Sequence, residues 1–188
     1  MARPRTFDPD QVLRQTREAF WTTGYAATGI ADLERATGLK RTSLYAAFGD
    51  KRSLYLKALE HYQGEGQTLM DTILAAAPSA RAGIDNLLEY ALAGFVADEH
   101  GRGCFINNAT TENRGECPRT QAFIVENREA FTRKITDHLR RFEYGEEEAR
   151  RVANTVFMVY SGLAAVATTG LGEAALREGV AGALGGLL

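Results

Sequence analysis

The stretch from residue 28 to residue 51 constrains this chain more than any other, because a glycine divides two short helical patterns within it. Ile30 and Leu33 recur at helical spacing, and Thr28 stands where it can cap the first helix. Gly38 falls just past the last turn of that helix, where a glycine adopts a positive φ at no steric cost. The sequence therefore predicts two short helices joined by a tight turn.

The second helix of this pair, which starts near Lys40, combines a narrow apolar face with a polar first half. Leu44 and Phe48 share one face and are expected to pack against the preceding helix. Polar donors crowd the first two turns, where a helix in the major groove meets bases and phosphates. These donors are Lys40, Arg41, Thr42, Ser43 and Tyr45. Paired amphipathic helices also occur in many all-α proteins that never touch DNA, but these residue types favour a helix-turn-helix with a recognition helix, in which Thr28 and Lys51 position the phosphates.

Several residues in this region carry a family resemblance. They are Phe20, Gly24, Tyr25, Thr28, Leu33, Gly38, Leu39, Ser43, Leu44, Tyr45, Phe48 and Lys51. At these spacings residues 8–60 closely resemble the N-terminal DNA-binding domain of the TetR family of bacterial transcriptional regulators. The resemblance implies a transcriptional regulator, more a repressor than an activator, that binds a palindromic operator in double-stranded DNA. Its body domain would bind a small effector, and effector binding would release the regulator from the operator. Glu34 and Lys40 depart from the family pattern, which usually has alanine and a helix-capping serine there, and both positions bear on the tilt of the recognition helix.

Charge is distributed unevenly along the chain. The net charge is −2, but residues 1–60 hold ten basic against seven acidic residues, Arg3 and Arg5 among them, so positive charge concentrates around the helix-turn-helix. The first residues form no apolar leader, and two cysteines make no disulfide scaffold. The most apolar run, 152–163, is too short and too interrupted to span a bilayer. We expect a cytoplasmic protein without membrane contact.

Helical periodicity continues through the rest of the chain, and no convincing strand or repeat interrupts it. We therefore predict an all-α fold of roughly nine helices. A three-helix helix-turn-helix DNA-binding domain is assigned to residues 1–50, and a larger helical ligand-binding and dimerisation domain to residues 51–188. Asp8 and Asp50 are suited to cap the first helix of each part. Glycines at 64 and 66 interrupt the long helix after Asp50 and predict either a hinge or a tolerated surface irregularity.

The helix predicted over residues 146–168 is apolar on more than one side and rich in alanine, serine and glycine. Small residues let a partner helix approach closely. With the last helix, residues 173–184, it could pair with its two-fold copy in a four-helix bundle, although burial inside one subunit would also satisfy it. We favour the homodimer, because a two-fold protein explains how two recognition helices could read half-sites about 34–36 Å apart.

The inward stripes of the long helices gather aromatic and apolar side chains with a few amide and hydroxyl groups. The candidate lining residues are Tyr62, Met70, Leu88, Phe95, Cys104, Asn107, Asn108, Thr111, Phe123, Asn127, Phe131, Phe157 and Tyr160. Apolar walls with a few polar anchors describe a small-molecule pocket, and they equally describe an ordinary helical core. The family resemblance favours the pocket, with a small-molecule effector as its ligand.

Cys104 suggests a different mechanism. It follows Gly103 at a predicted helix N-terminus, where the helix dipole and the nearby Arg102 favour a reactive thiolate. The alternative function is therefore an electrophile- or redox-sensing repressor acting through Cys104, and a Cys104–Cys117 disulfide is one version of it. The run from Gly103 to Asn107 also resembles a segment of some TetR family members. A small buried side chain is the commoner role for a free cysteine.

Metal and catalytic signals are weak. The histidines, His61, His100 and His138, lie in three separate segments, and the sequence contains no HExxH or CxxC. It also lacks GxSxG, a Walker-type loop and GxGxxG. We therefore expect no metal site, no cofactor and no enzymatic activity.

Overall fold

The computed structural model describes residues 7–113 and 115–187, and it is all-α within them. Its helices are α1 (Pro9–Ala27), α2 (Ile30–Thr37), α3 (Arg41–Phe48), α4 (Lys51–Ala76), α5 (Ala80–Ala97), α6 (Phe105–Asn113), α7 (Pro118–Arg140), α8 (Glu146–Val166) and α9 (Glu173–Leu184), with a 3-10 turn at Ala167–Thr169. Nine α-helices and no strand in the described ranges confirm the predicted fold class. Arg3 and Arg5 lie outside the described residues.

The first three helices form a head around one apolar cluster. Asp8 caps α1, since its Oδ1 accepts the backbone N–H of Asp10 at 3.0 Å, and Pro9 occupies the first helical position, where its missing N–H costs nothing. The cluster inside the head consists of Val12, Phe20, Leu33, Leu44 and Phe48, all at most 5% exposed. The sequence pattern predicted this packing, and the structure confirms it.

Helix α4 connects the head to the body. Asp50 caps it by accepting the backbone N–H of Ser53 at 2.7 Å. The helix continues unbroken past Gly64 and Gly66, both exposed, and shows no break at these glycines. Each glycine costs a helix up to about 1 kcal/mol relative to alanine. Burial of seven α4 side chains elsewhere along its 26 residues offsets that cost.

The apolar core of the head extends beyond residue 50 and includes side chains of α4 and α6. The ring of Phe105 on α6 is 1% exposed and lies 5.7 Å from that of Tyr55 on α4 and 5.8 Å from that of Trp21 on α1. Phe20 meets the same tyrosine edge-on at 4.9 Å. Packing is therefore continuous across the predicted boundary between residues 50 and 51.

Helices α5, α7 and α8 form the body around a second core. Its fully buried side chains include Ile84, Leu88, Ile135, Leu139 and Val156. Helix α5 approaches α7 closely at Gly83, where an added Cβ would lie 2.2 Å from Nε2 of His138. Burial lowers the pKa of His138, and its Nε2 lies 3.2 Å from the carbonyl oxygen of Ala80. This histidine is a packed component of the body core.

Apolar side chains are exposed on α8 and in the loop that precedes α9. Met158 is 63% exposed, Val166 41% and Leu171 46%. Residues Glu146–Thr169 form the one helical span in the described ranges that is long and apolar enough to cross a membrane, with a mean hydropathy of 1.4 and only 28% of that window buried. Exposed apolar side chains on a helix of this hydropathy are typical of an interaction surface.

Candidate DNA interface and effector cavity

Helices α2 and α3 meet at a glycine turn, as the sequence predicted. Gly38 has φ +70°, a left-handed conformation that ends α2 and redirects the chain. The start of α2 is fixed by a reciprocal contact in which Asp32 Oδ2 accepts the backbone N–H of Gly29 at 2.8 Å. Because Leu33 and Leu44 are both 0% exposed, the two helices share a fully buried contact. The orientation of α3 is therefore set by packing on one face and by the turn at its start.

The other face of α3 presents the polar residues singled out from the sequence. Lys40, Arg41, Thr42 and Ser43 are all exposed in the turn and first helical turn. Tyr45 is half-buried, and the guanidinium carbon of Arg41 lies 5.3 Å from the centre of its ring. This stacking limits the directions in which the guanidinium can point. The start of α3 thus offers hydroxyl, ammonium and guanidinium donors on one accessible surface.

A carboxylate from α2 caps α3. Lys40 holds the N-cap position of α3 but makes no side-chain cap, and Glu34 Oε1 instead accepts the backbone N–H of Arg41 at 2.8 Å. An anion there satisfies one of the unpaired N–H groups of the helix and complements its dipole. The two departures from the family pattern are therefore linked. Lys40 stands in place of the capping serine and makes no cap, and Glu34, which stands in place of alanine, supplies the cap instead.

The predicted phosphate role of the Thr28 side chain is wrong. Gly29, not Thr28, is the N-cap of α2, and Thr28 is 0% exposed. Its hydroxyl donates to the carbonyl oxygen of Gly24 at 2.6 Å, in the bend that Gly24 makes near the end of α1 with φ +82°. The hydroxyl therefore closes the end of α1 instead of facing solvent. Lys51 remains half-exposed, with Nζ 4.5 Å from the centre of the Tyr25 ring, and burial lowers its pKa.

A cavity of about 550 Å³ lies between α1, α4, α5, α6, α7 and α8. Nine of the thirteen predicted lining residues border it: Tyr62, Met70, Phe95, Cys104, Asn107, Asn127, Phe131, Phe157 and Tyr160. Its size lies within the range of about 300–1,000 Å³ typical of small-molecule sites. The structure therefore contains a cavity, which is the alternative that the family resemblance favoured over an ordinary helical core.

The other four predicted lining residues lie elsewhere. Leu88 and Phe123 are packed in the apolar cores, at 0% and 7% exposed. Asn108 turns away to donate its side-chain N–H to the carbonyl oxygen of Arg102 at 2.9 Å. Thr111 borders a separate hollow of about 590 Å³ beside the bend at Gly24. A shared helix face does not determine which side chains reach the cavity, because α6 is short and only some of its residues point inward.

Sequence reasoning missed the charged rim of the cavity and its single tryptophan. The additional lining residues include Trp21, Gln63, Glu65, Asp98 and Arg102. Gly66 and Leu69, which also line it, lie four and seven residues after Tyr62 and share its helical face, so that spacing could have identified them. Asp98 and Arg102 lie at a loop, where no periodicity predicts their direction.

Ion pairs join this rim to the head. Arg17 on α1 pairs with Glu65 on α4 at 2.5 Å, and Arg102 pairs with Glu18 on α1 at 2.7 Å and with Asp98 at 3.0 Å. Hydrogen bonds from Arg102 help to lower the pKa of Asp98, against the opposing effect of its burial. Side chains of α1 and of the cavity wall therefore form one connected network.

The two cysteines lie in different environments. Cys104 immediately precedes α6, as predicted, but it is only 3% exposed, so its sulfur is reached through the cavity. Cys117 is the N-cap of α7, and hydrogen bonds from the side chain and backbone of Thr120 lower its thiol pKa. Both thiols are free in this structure. Within residues 7–113 and 115–187, no group of three or more potential metal-ligating side chains is assembled.

The N-terminal part of the chain, which contains the head, matches a known family. The family model described as "Bacterial regulatory proteins, tetR family" matches residues 12–58. The chain is 36% identical to the HTH-type transcriptional repressor ComR of Escherichia coli (strain K12) over 58% of this chain and 53% of ComR. The match therefore spans about half the length of that relative. The HTH-type transcriptional repressor BdcR of the same organism is 28% identical over 89% of this chain and 83% of BdcR.

Solved structures extend the similarity over the whole fold. A cysteine mutant of CifR, a TetR family transcriptional regulator solved in complex with 26bp double-strand operator DNA, is 30% identical with a TM-score of 0.85. That comparison covers 99% of this chain and 100% of the CifR chain. SCO4454 from Streptomyces coelicolor, a TetR-family transcriptional regulator, shares the fold with a TM-score of 0.79 at 20% identity.

Proposed function

Since this chain belongs to the TetR family of bacterial regulatory proteins, we propose that it is a homodimeric transcriptional repressor that binds a palindromic operator in double-stranded DNA and is released by a small-molecule effector. The observation that carries the proposal is the polar first turn of α3, exposed on a helix whose opposite face is fully buried. A rigidly packed helix with an exposed polar end fits the major groove. The protein is then a cytoplasmic regulator and not an enzyme.

The residues of α3 divide by chemistry into base readers and phosphate contacts. Arg41 carries the planar guanidinium that suits the two acceptors of guanine, and Thr42 and Ser43 offer hydroxyl groups beside it. Lys40 and Lys51 flank this group and act on the phosphates as positive charges. The backbone N–H groups at the start of α2 can contact a phosphate in place of the buried Thr28 hydroxyl.

The dimer forms through α8 and α9, over residues 146–168 and 173–184. Met158 and Val166 of α8 are exposed, as is Leu171 in the loop before α9, and small residues surround them, which is the composition that close helix packing requires. A second copy related by a two-fold axis covers these side chains and sets the spacing of the two heads. Half-sites about 34–36 Å apart then match one turn of DNA.

Effector binding is coupled to the head through shared side chains. Trp21 belongs to α1 of the head and also lines the cavity, and Arg17 and Glu18 hold its rim. A ligand that binds better when these contacts rearrange favours a body conformation in which the heads are spread. The division at residues 50 and 51 is accordingly functional: residues 1–50 bind DNA, and residues 51–188 bind effector and partner while packing directly on the head.

The thiol-sensing alternative has less support. Cys104 is buried in the cavity wall, so an electrophile would have to occupy the effector site before it met the sulfur. Reactive sensor thiols are typically accessible ones beside positive charge. We therefore place effector binding, and not oxidation, at the centre of the mechanism.

The proposal is tested by footprinting the purified protein on the DNA that flanks its own gene. We expect protection of an inverted repeat whose half-sites are centred about one helical turn apart. The matched control is Arg133→Ala, an exposed arginine on α7, which should protect the same repeat. Absence of sequence-specific protection in the flanking DNA at low salt would contradict the proposal.

A further inference from the structure

Two tyrosine hydroxyl groups in the cavity wall share one weak acceptor. Tyr62 Oη lies 3.9 Å from the sulfur of Cys104, and Tyr160 Oη lies 3.5 Å from the same sulfur. A thiol sulfur is a poor hydrogen-bond acceptor compared with oxygen. Two buried donors are therefore directed at one point where neither finds a strong partner.

Both hydroxyls remain protonated at neutral pH. Burial raises the pKa of Tyr62 and of Tyr160 well above the usual value for tyrosine, and the adjacent thiol raises both further. The groups therefore act as neutral donors and supply no negative charge. A ligand atom that meets both must be an acceptor.

Two amide side chains of the wall already bond to oxygen or amide groups of the protein. Asn127 Oδ1 accepts an N–H from Gln63 at 3.1 Å. Asn107 donates its side-chain N–H to the carbonyl oxygen of Ser161 at 3.3 Å. The two tyrosine hydroxyls, which meet only the thiol sulfur, have more to gain from a ligand oxygen than these bonded amide groups.

The charged side chains that line the cavity are all ion-paired within the protein. Its charged lining residues are Glu65, Asp98 and Arg102, and each is ion-paired. A charged ligand would have to displace one of these pairs or lose its own hydration without compensation. The wall thus favours a ligand without net charge.

Several aromatic rings contribute to the rest of the wall, among aliphatic side chains. The ring of Phe131 lies 5.4 Å from that of Phe157 and 5.3 Å from that of Tyr160, and Phe95 packs 6.0 Å from the same tyrosine. Such rings favour flat apolar groups through dispersion and edge-to-face contact. The hydroxyl of Tyr160 therefore stands at the end of an apolar aromatic surface.

We propose that the effector is an uncharged, largely aromatic molecule whose ketone or ether oxygen accepts hydrogen bonds from Tyr62 and Tyr160 in place of the Cys104 sulfur. This inference rests on the proposed effector role of the cavity. It assigns the two tyrosines the role of specificity determinants, because a ligand lacking the oxygen leaves both hydroxyls with only the thiol. The aromatic walls supply affinity, and the hydroxyl pair supplies selection.

Equilibrium dialysis with three related probes tests the assignment. Benzophenone and 1,1-diphenylethylene have the same shape and differ only by oxygen in place of a methylene, while 4-benzoylbenzoate keeps the ketone and adds a negative charge. We expect benzophenone to bind about three- to tenfold more tightly than 1,1-diphenylethylene, the range of one net hydrogen bond. Tighter binding of the carboxylate, equal binding of the first two probes, or no binding of benzophenone would overturn the inference.

Variants then identify the groups responsible. Tyr62→Phe combined with Tyr160→Phe should abolish the preference for benzophenone while 1,1-diphenylethylene binds as before, since the rings remain. Tyr90→Phe is the matched control, because Tyr90 also borders the cavity but is 54% exposed, and it should retain the preference. A preference that survives in the double variant would contradict the assignment. Footprinting of the same proteins separates the DNA-binding proposal from the effector proposal. If the unaltered protein does not protect an operator, the DNA-binding function is refuted, whatever the binding of the probes shows.

Discussion

Replacing Glu34 by alanine tests how the recognition helix is held. The change removes the carboxylate that accepts the Arg41 N–H at 2.8 Å, and Lys40 provides no side-chain cap in its place. Loss of an N-terminal cap costs about 0.5–2 kcal/mol, typically about 1 kcal/mol. Because α3 has only eight residues, fraying of its first turn displaces a large part of the proposed DNA-reading surface.

We expect Glu34→Ala to lower the free energy of unfolding by about 1 kcal/mol and to weaken operator binding by about fivefold, the equivalent of that energy. Urea unfolding and fluorescence anisotropy with a labelled operator measure the two quantities. Glu34→Gln separates the cap from the charge, because its amide oxygen still accepts the hydrogen bond. It should preserve stability and bind DNA at least as tightly as the unaltered protein.

The cap can also be restored from its usual position. Adding Lys40→Ser to Glu34→Ala supplies a local acceptor at the N-cap, where the backbone is extended as such a cap requires. The alanine substitution should therefore cost less stability in the Lys40→Ser background than in the unaltered protein. If Glu34→Ala changed neither unfolding nor operator affinity, or if its cost were the same in both backgrounds, the capping argument would be refuted.

Three further predictions concern the body and its link to the head. Met158→Asp should shift the protein from dimer to monomer in light scattering, whereas Val125→Asp, on α7 and 37% exposed, should not; a dimer that persists would place the interface elsewhere. Stability should fall as the pH drops below about 6.5 and on through the lowered folded pKa of His138, because the unfolded histidine protonates first, and His138→Gln should flatten this slope in urea titrations. Arg17→Ala, which removes the ion pair with Glu65, should lower the effector-induced loss of operator binding while leaving effector affinity within about threefold; unchanged coupling would remove this pair from the pathway.

The sequence predicted those features that depend on local pattern. Apolar spacing located Leu33 and Leu44, cap chemistry located Asp50, and the left-handed turn required Gly38, because each of these follows from a few neighbouring residues. The helices and the polar face of α3 follow in the same way. The family resemblance then indicated that this polar face of α3 binds DNA.

The features that the sequence did not predict depend on contacts between distant residues. Threonine is a favoured N-cap residue, but the bend at Gly24 places the hydroxyl of Thr28 inside the head. No local pattern marks Trp21 as a cavity residue, because only the packing of α1 on α4 and α6 brings it to the cavity. The Glu34 cap spans seven residues and a turn, a separation at which no helical periodicity applies.

The most direct test of DNA recognition by α3 is the operator affinity of Arg41→Ala, measured against an unrelated duplex of equal length at the same salt concentration. If Arg41 reads a guanine, its loss should weaken operator binding by about 1–3 kcal/mol and leave binding to the unrelated duplex reduced far less. Arg133→Ala should change neither value. An unaltered ratio of the two affinities in Arg41→Ala would contradict recognition through this residue and move the reading surface away from the start of α3.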